Sequence, residues 1–422
     1  MSSSNLQKQE TISISPLLNR LAYSPIAHIS AAEIASAFAL IIENRISDIQ
    51  TAAFLTLLHS TGKDRQADVI AKCSHHMREA ACQIDRASLW KVIKAGGRPE
   101  GNYEGGLCDI VGTGGDSHST FNVSTTASII ASPILMTAKH GNRSQSSLSG
   151  SADVLKAIQP TPPNIDAVNG SNLAKVYKET SYAFLYAPHF HPGMVYANSV
   201  RKALGIRTIF NLMGPLVNPV EWAIEARVVG VAYQSLGPVF VEALKQSGAR
   251  KALVVCGEED MDEISCAGPT NCWRISEYKA SSGHDDTYSS EEKESPQTLV
   301  KIETFQLHPS DFGLSTHPLT DVYGGKMPKD NAMKLMSILR NELPRDDPIL
   351  EFVLMNVAAL LVTSGVCEAE TSNIGSGEKV ITERGPGGGR WKEGLRRARW
   401  AIESGQALKC LEGFIEVTNR LL

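Results

Sequence analysis

The sequence predicts an α/β protein: a small N-terminal all-helical domain, then a larger domain with a mostly parallel central sheet flanked by helices. Three observations carry this expectation. Residues 31–93 keep helical spacing with little strand signal. Five short, apolar, β-rich runs follow at 107–111, 134–138, 182–187, 228–232 and 252–256, separated by helical stretches, which is the pattern of a buried parallel sheet. Two polar turns stand at the exits of the first two runs, where such a sheet presents its ligand-binding loops.

Bulk properties narrow the function classes. A chain of 422 residues can form two domains, and 41 basic against 45 acidic residues give a net charge of −4, which argues against a chain-wide nucleic-acid footprint. The eight cysteines are scattered, with no CxxC pair. Buried or surface thiols in a reducing compartment are therefore expected, ahead of a metal at Cys73 with His75 and His76 or at Cys266 with Cys272. The N-terminus lacks an apolar segment of signal-peptide length, and the longest apolar run, Phe352 to Val362, is too short to span a bilayer. A soluble, cytoplasmic protein is expected.

Taken in order, residues 1–15 are polar and read as a disordered tail. Ala32, Ile34, Ala35, Phe38, Ile41 and Ile42 keep helix spacing, and Ser47-Asp48 caps the next helix, Ile49 to His59. Lys63 to Cys82 forms a third. The helical domain is placed at 16–104, ending in a hinge loop, Gly96 to Gly106, with the large domain at 105–422. There, Leu107 to Val111 reads as a strand, Gly112-Thr113-Gly114-Gly115-Asp116 as a turn, and Asn122 to Ala131 as a helix. Ile134 to Ala138 is the second strand and breaks into Lys139-His140-Gly141-Asn142-Arg143. Residues 276–298 are polar, acidic and aperiodic, and read as a flexible insertion. Gly385 to Gly389 reads as a surface loop before a final amphipathic helix, Lys392 to Ser404.

The first two turns suit an anion. Three glycines let backbone N–H groups approach a bound group, and Ser124, Thr125 and Thr126 place hydroxyls and free N–H donors at a helix start. GTGG alone is most often an ordinary tight turn. It is not a Walker loop, because no Gly-Lys-Ser/Thr follows, and Ser117 stands where the dinucleotide fingerprint has its third glycine. Two polar turns at two strand exits within about fifty residues raise the expectation above that background.

These residues resemble the anthranilate phosphoribosyltransferase family. The match is carried by GTGGD with TFNVST (Thr120 to Thr125), and by KHGNR with the SSxSGSADVL stretch ending at Leu155. It continues in HPGM (His191 to Met194), VRKALGIRTIFNLMGPLVNP (Val200 to Pro219) and MDEISCAGPT (Met261 to Thr270). DFGL (Asp311 to Leu314) and the glycine pair before Asp330-Asn331-Ala332 extend it, so that it covers roughly residues 30–410.

The resemblance implies transfer of a phosphoribosyl group from phosphoribosyl pyrophosphate to the amine of anthranilate in tryptophan biosynthesis. It places the site in the cleft between the two domains, with a segment near 190–213 returning to the helical one. It implies that Gly112, Gly114, Gly115, Asp116, Thr120, Asn122, Ser124, Thr125, Lys139, Arg143 and Ser151 hold phosphoribosyl pyrophosphate. Gly112, His140, Asn142, His191 and Arg201 fall on the anthranilate side, where a guanidinium matches a carboxylate bidentately. Gly214 and Pro215 shape the aromatic pocket. Mg2+ is the implied cofactor, with Ser124, Asp262 and Glu263 as ligands. Without the resemblance, Asp262 and Glu263 would be two more acids beside Glu258, Glu259 and Asp260, and Arg201-Lys202 a helix surface pair. A homodimer through the helical domain is also implied, with neither nucleic acid nor membrane as partner.

Two departures stand out. Leu148 occupies a position where the family commonly has lysine, which removes one phosphate contact or shifts it to Arg143 or Lys139. Gly193 replaces an alanine, a change expected to matter little. Two rival readings are a pyrimidine nucleoside phosphorylase-like enzyme, which would need neither the acidic pair nor VRKALGIRT, and a non-catalytic nucleic-acid-binding relative, which should be basic.

Overall fold

A computed structural model of the chain describes residues 10–23, 28–143, 149–279, 298–325, 327–374 and 379–421. Its helical unit starts from capped helices. The Ser30 side chain accepts from the Glu33 N–H to open Ala31–Ile42, and Ser47 accepts from the Gln50 N–H to open Asp48–Ser60. Ile34, Phe38, Phe54 and Leu58 bury their apolar faces against Val69 and Cys73 of the helix Ala67–Glu79. Ala197 and Val200 of Val195–Leu204, and Ile209, Phe210 and Met213 of Ile209–Met213, close the same core from far along the chain. The Phe38 and Phe210 rings lie 5.0 Å apart.

The helix Arg86–Gly96 departs from the expected grouping. Its buried Leu89 and Ile93 belong to the core of the larger unit, against the helix Leu173–Glu179. Periodicity reveals that a helix has a face to bury, but not which core receives it.

The sheet has seven strands: β1 (Leu107–Gly112), β2 (Met136–Gly141), β3 (Tyr182–Tyr186), β4 (Ile224–Gly230), β5 (Lys251–Gly257), β6 (Thr270–Lys279) and β7 (Thr298–Leu307), in the order β3-β2-β1-β4-β5-β6-β7. β1 to β5 are parallel, with Ile110 opposite Val228 and Gly112 opposite Gly230. The strand order reverses between β1 and β4, and in an open sheet the crevice beyond the carboxyl ends at that point receives ligands. β6 and β7 are antiparallel and were not expected. They correct the reading of residues 276–298: Ser276 to Lys279 and Thr298 are strand, while 280–297 lie outside the described residues. β7 is an edge strand, and it and β6 carry charge, as in the cross-strand pair of Arg274 Nη2 with Glu303 at 2.7 Å, so their composition reads as loop.

Asp347 caps the helix Pro348–Ser364 through the N–H groups of Ile349 and Leu350. Every residue from Ile349 to Ser364 is buried, and this helix forms the middle of the large core, packed on the helices Val123–Ala131 and Trp391–Glu403. A further helix, Gln406–Arg420, ends the described chain. Gly387, in the glycine cluster, is where a side chain would run into Phe305 of β7, which makes that loop a packing contact. No described helix is long and apolar enough to cross a membrane.

Gly193 matters more than its sequence context suggests. A Cβ there would lie 2.7 Å from the Ile42 carbonyl oxygen and would also meet the Ile42 side chain, at the end of Ala31–Ile42. Gly193→Ala should therefore destabilise the protein by about 1–3 kcal/mol, the usual cost of overpacking. An unchanged midpoint in urea would show that the helix end yields.

Candidate active site

Three segments converge beyond the ends of β1 and β4: the turn Gly112 to Asp116, the start of the helix Val123–Ala131, and the acidic loop after β5. Gly112 and Gly230 pair across the two strand ends. A Cβ on Gly112 would overlap the Asp262 carboxylate, and one on Gly230 would overlap the Asp262 carbonyl oxygen. The two glycines are thus the space into which the acidic loop folds.

The turn itself runs through left-handed backbone at Gly114 (φ +63°) and Gly115 (φ +83°). The Gly114 N–H donates to Asp262 Oδ2 at 2.6 Å, and the Gly114 carbonyl accepts from Arg207 Nη2 at 2.8 Å. The Arg207 guanidinium lies where a Gly115 side chain would stand. Sequence reading missed Arg207; its one signal was a cation inside VRKALGIRT, the stretch that returns to the helical unit.

Asp116, Asp262 and Glu263 bring carboxylate oxygens within 4.8 Å of one another. The Asp262 N–H also faces Asp116 Oδ2 at 3.5 Å. Burial, then the Asp116 charge, pushes the Asp262 carboxyl up to about 7, against the smaller opposing pull of the Gly114 N–H and Arg207. Burial, then Asp262 and Asp116, raises Glu263 well above the usual carboxylate range, while Thr120 bonds to it and opposes the rise. Burial also raises Asp116. Glu263 Oε2 is buried without a hydrogen-bond partner. Three hard oxygen donors with uncompensated negative charge fit a divalent cation such as magnesium. The neighbouring Glu259 is spent elsewhere, accepting from the Ser265 hydroxyl.

The helix start is held from a distant part of the chain. Asn331, itself buried, accepts from the Asn122 N–H at 3.0 Å, and Gly324 gives room for the Thr120–Phe121 backbone. Ser124 lines the cavity with Gly112, Asp262 and Glu263. Asn122 Oδ1 and Thr125 Oγ1 are buried without partners.

Lys139 was expected on the turn after β2, but it lies within the strand and is buried. Its Nζ donates to the His140 carbonyl at 3.0 Å; burial lowers its pKa, and the charges of Asp109 and Asp262 oppose that. Arg143 is exposed, 5.9 Å over the Tyr186 ring, and its N–H donates to Asn142 Oδ1 at 2.7 Å. Ser151 begins the short helix Ser151–Lys156, close behind Gly141. Leu148 lies outside the described residues.

His140, at the end of β2, meets His191 edge-on with ring centroids 5.3 Å apart. His191 Nε2 pairs with the Val217 carbonyl at 2.7 Å and His140 Nδ1 with the Gly214 carbonyl at 3.3 Å, so those nitrogens are assigned the protons. Burial lowers both rings, His191 to about 4 and His140 well below its ordinary value, with His191 and Lys139 adding to the effect on His140. Both are neutral at pH 7, and His140 Nε2 is a buried nitrogen without a partner. Arg201 is half-buried, 5.0 Å over the Phe210 ring; burial draws its pKa to about 10, which leaves it charged.

Residues 104–408 match the glycosyl transferase family a/b domain, and residues 15–81 its helical bundle domain. Anthranilate phosphoribosyltransferase of Schizosaccharomyces pombe is 35% identical over 389 residues, 91% of this chain and 92% of the relative. That of Saccharomyces cerevisiae is 35% identical over 88% of this chain and 87% of its own. The solved Saccharomyces cerevisiae enzyme in complex with PRPP and Mg superposes with a TM-score of 0.74 at 28% identity, covering 96% of this chain and 99% of the other. Its complex with 4-fluoroanthranilate gives 0.72 at 29% identity, covering 96% and 97%.

Proposed function

The chain belongs to the anthranilate phosphoribosyltransferase family, and on that premise we propose the following account of its reaction and site. The protein transfers the 5-phosphoribosyl group of phosphoribosyl pyrophosphate to the amine of anthranilate, releasing pyrophosphate, with magnesium as cofactor, in tryptophan biosynthesis. The observation that carries the site is the carboxylate cluster of Asp116, Asp262 and Glu263, set against the glycine turn at the strand-order reversal.

In the reaction the bond from ribose C1 to pyrophosphate breaks and a bond from C1 to the anthranilate nitrogen forms. Gly112, Gly114 and Gly115, with Asp116, Thr120, Asn122, Ser124 and Thr125, hold the phosphoribosyl side; the unpartnered polar atoms of Asn122 and Thr125 support this. Asp262, Glu263 and Ser124 hold magnesium, which supplies charge neutralisation on the departing pyrophosphate. Lys139 supplies positive charge from within β2, favoured by the charges of Asp109 and Asp262; Arg143 and Ser151 flank the second turn. Arg201 pairs with the anthranilate carboxylate. Asn142 and His191 shape that side, and neutral His140 offers its unpartnered Nε2 as a hydrogen-bond acceptor that orients the amine. Placement and charge stabilisation do most of the work, because the amine lone pair needs no strong base.

Three coarser features complete the proposal. The helical domain is residues 16–104 with 190–213 returning to it, less the helix Arg86–Gly96, which packs on the core of the larger domain, 105–422; the shared core of Phe38, Phe54, Val200 and Phe210 supports the return. A homodimer through the helical domain is supported by its exposed Ile49, Val195 and Ile206. A cytoplasmic location is supported by eight free cysteines, six of them buried.

The test follows loss of anthranilate fluorescence, which should require phosphoribosyl pyrophosphate. Arg201→Ala should raise KM for anthranilate about 10- to 100-fold, the worth of a charged hydrogen-bonded pair, and leave KM for phosphoribosyl pyrophosphate within about twofold. Equal effects on both substrates would reject the assignment.

A further inference from the structure

Asn356 interrupts the apolar run of the helix Pro348–Ser364 and is 1% exposed. Its side chain does not point idly into the core. Oδ1 accepts from the Ile264 N–H at 3.0 Å, and Nδ2 donates to the Ile264 carbonyl at 3.3 Å and to Phe352 O at 3.0 Å. One amide thus meets both backbone groups of the residue that directly follows Glu263, much as a neighbouring strand would. Asn356 also lines the cavity shared by Ser124, Asp262 and Glu263.

The loop needs such a hold. Three carboxylates within 4.8 Å repel one another, and swinging toward water would relieve them. Gly257 N–H donates to Met261 O at 2.9 Å and Ser265 N–H to Thr270 Oγ1 at 2.8 Å, which tie the two ends of the loop to β5 and β6, and Met261, Ile264 and Cys266 sit in the large core, but none of these bonds holds the Glu263–Ile264 backbone itself. From the other side, the Gly114 N–H and Arg207 hold Asp262 through a turn that substrate must also use. Asn356 reaches the loop from a helix that is buried from Ile349 to Ser364.

We infer that Asn356 is a positioning residue: it clamps the Ile264 backbone so that Asp262 and Glu263 stay directed at the magnesium–pyrophosphate site. This rests on the reading of Asp262 and Glu263 as the magnesium ligands. A group that orients metal ligands without touching the metal typically accounts for 10- to 100-fold in affinity or activity.

The experiment compares the full-length protein with Asn356→Leu and Asn356→Ser, the latter keeping a hydroxyl that can reach the Phe352 carbonyl. Ser364→Ala serves as control, because it removes a buried hydroxyl from the same helix far from the loop, one that donates to the Leu361 carbonyl and accepts from the Val366 N–H. Two quantities are read: the magnesium concentration giving half-maximal rate, and the rise in melting temperature caused by magnesium with inorganic pyrophosphate. Either Asn356 variant should raise the first about tenfold or more and abolish the second, with KM for anthranilate within about twofold of native. Ser364→Ala should change neither. Native magnesium response in a folded Asn356 variant, or an equal shift in Ser364→Ala, would overturn the inference. If the Asp262→Asn, Glu263→Gln double variant also keeps the native response, the ligand assignment itself falls; if that variant loses it while Asn356→Leu does not, only the clamp falls.

Discussion

Changing Asp262 to Asn and Glu263 to Gln together should cut turnover by about a hundredfold or more, the cost of losing one strong electrostatic stabiliser, yet make the metal-free protein harder to unfold at pH 8. The first effect follows from removing two negative ligands while keeping size and shape. The second follows from the raised carboxyl of Asp262, at about 7 in the fold against an ordinary 3.8, with Glu263 shifted in the same direction. Below pH 4 both states hold the Asp262 proton and no penalty exists. Between 4 and 7 the folded state keeps a proton that the unfolded chain has released, so stability falls as pH rises; above 7 the full penalty remains. The amides carry no such charge. Their advantage should grow from pH 4 to 7 and reach ~2–4 kcal/mol at pH 8, measured by urea unfolding in a chelator. Normal turnover, or a stability difference that does not change with pH, would mean the pair is a solvated acidic loop.

Gly230→Ala is the second large effect. The added methyl would overlap the Asp262 carbonyl oxygen at the end of β4, and the loop has to move. Displacing a reacting-site group by about 1 Å costs on the order of a hundredfold in rate, and overpacking about 1–3 kcal/mol in stability. Gly268 lies in the same acidic loop with open space around its Cβ position, so Gly268→Ala should be near native. Equal kinetics for the two variants would show that the strand-end glycines do not set the loop's place.

What could be read in advance follows from how local each signal is. The five parallel strands are short apolar runs, and the cap at Ser47 is fixed by Gln50, three residues on, whereas the start of the helix after Asn122 is held by Asn331 from far along the chain. β7 is the edge strand and β6 lies next to it, and their Arg274, Glu277 and Glu303 carry the composition of a loop. Lys139 looked like a turn cation because Asp109, the charge that makes its burial tolerable, sits thirty residues earlier on an adjacent strand. Among five acids at 258–263, composition and spacing do not distinguish Asp262 from Glu259; the family resemblance does, and the fold gives the reason, burying Asp262 and binding Glu259 to Ser265. Arg207 and Asn356 are single polar residues whose partners, Gly114 and Ile264, lie about ninety residues away in sequence, beyond the reach of any spacing rule. Gly193 is explained by Ile42, which no local pattern brings near it.

The central claim is that one centre, at the reversal of strand order, moves a phosphoribosyl group to anthranilate with magnesium. Phosphorus NMR of the native protein with phosphoribosyl pyrophosphate, anthranilate and magnesium tests it most directly. One pyrophosphate should appear for each anthranilate consumed, and the release should stop when either anthranilate or magnesium is withheld. Pyrophosphate formed at the same rate without anthranilate, or no pyrophosphate under any of these conditions, would contradict the account.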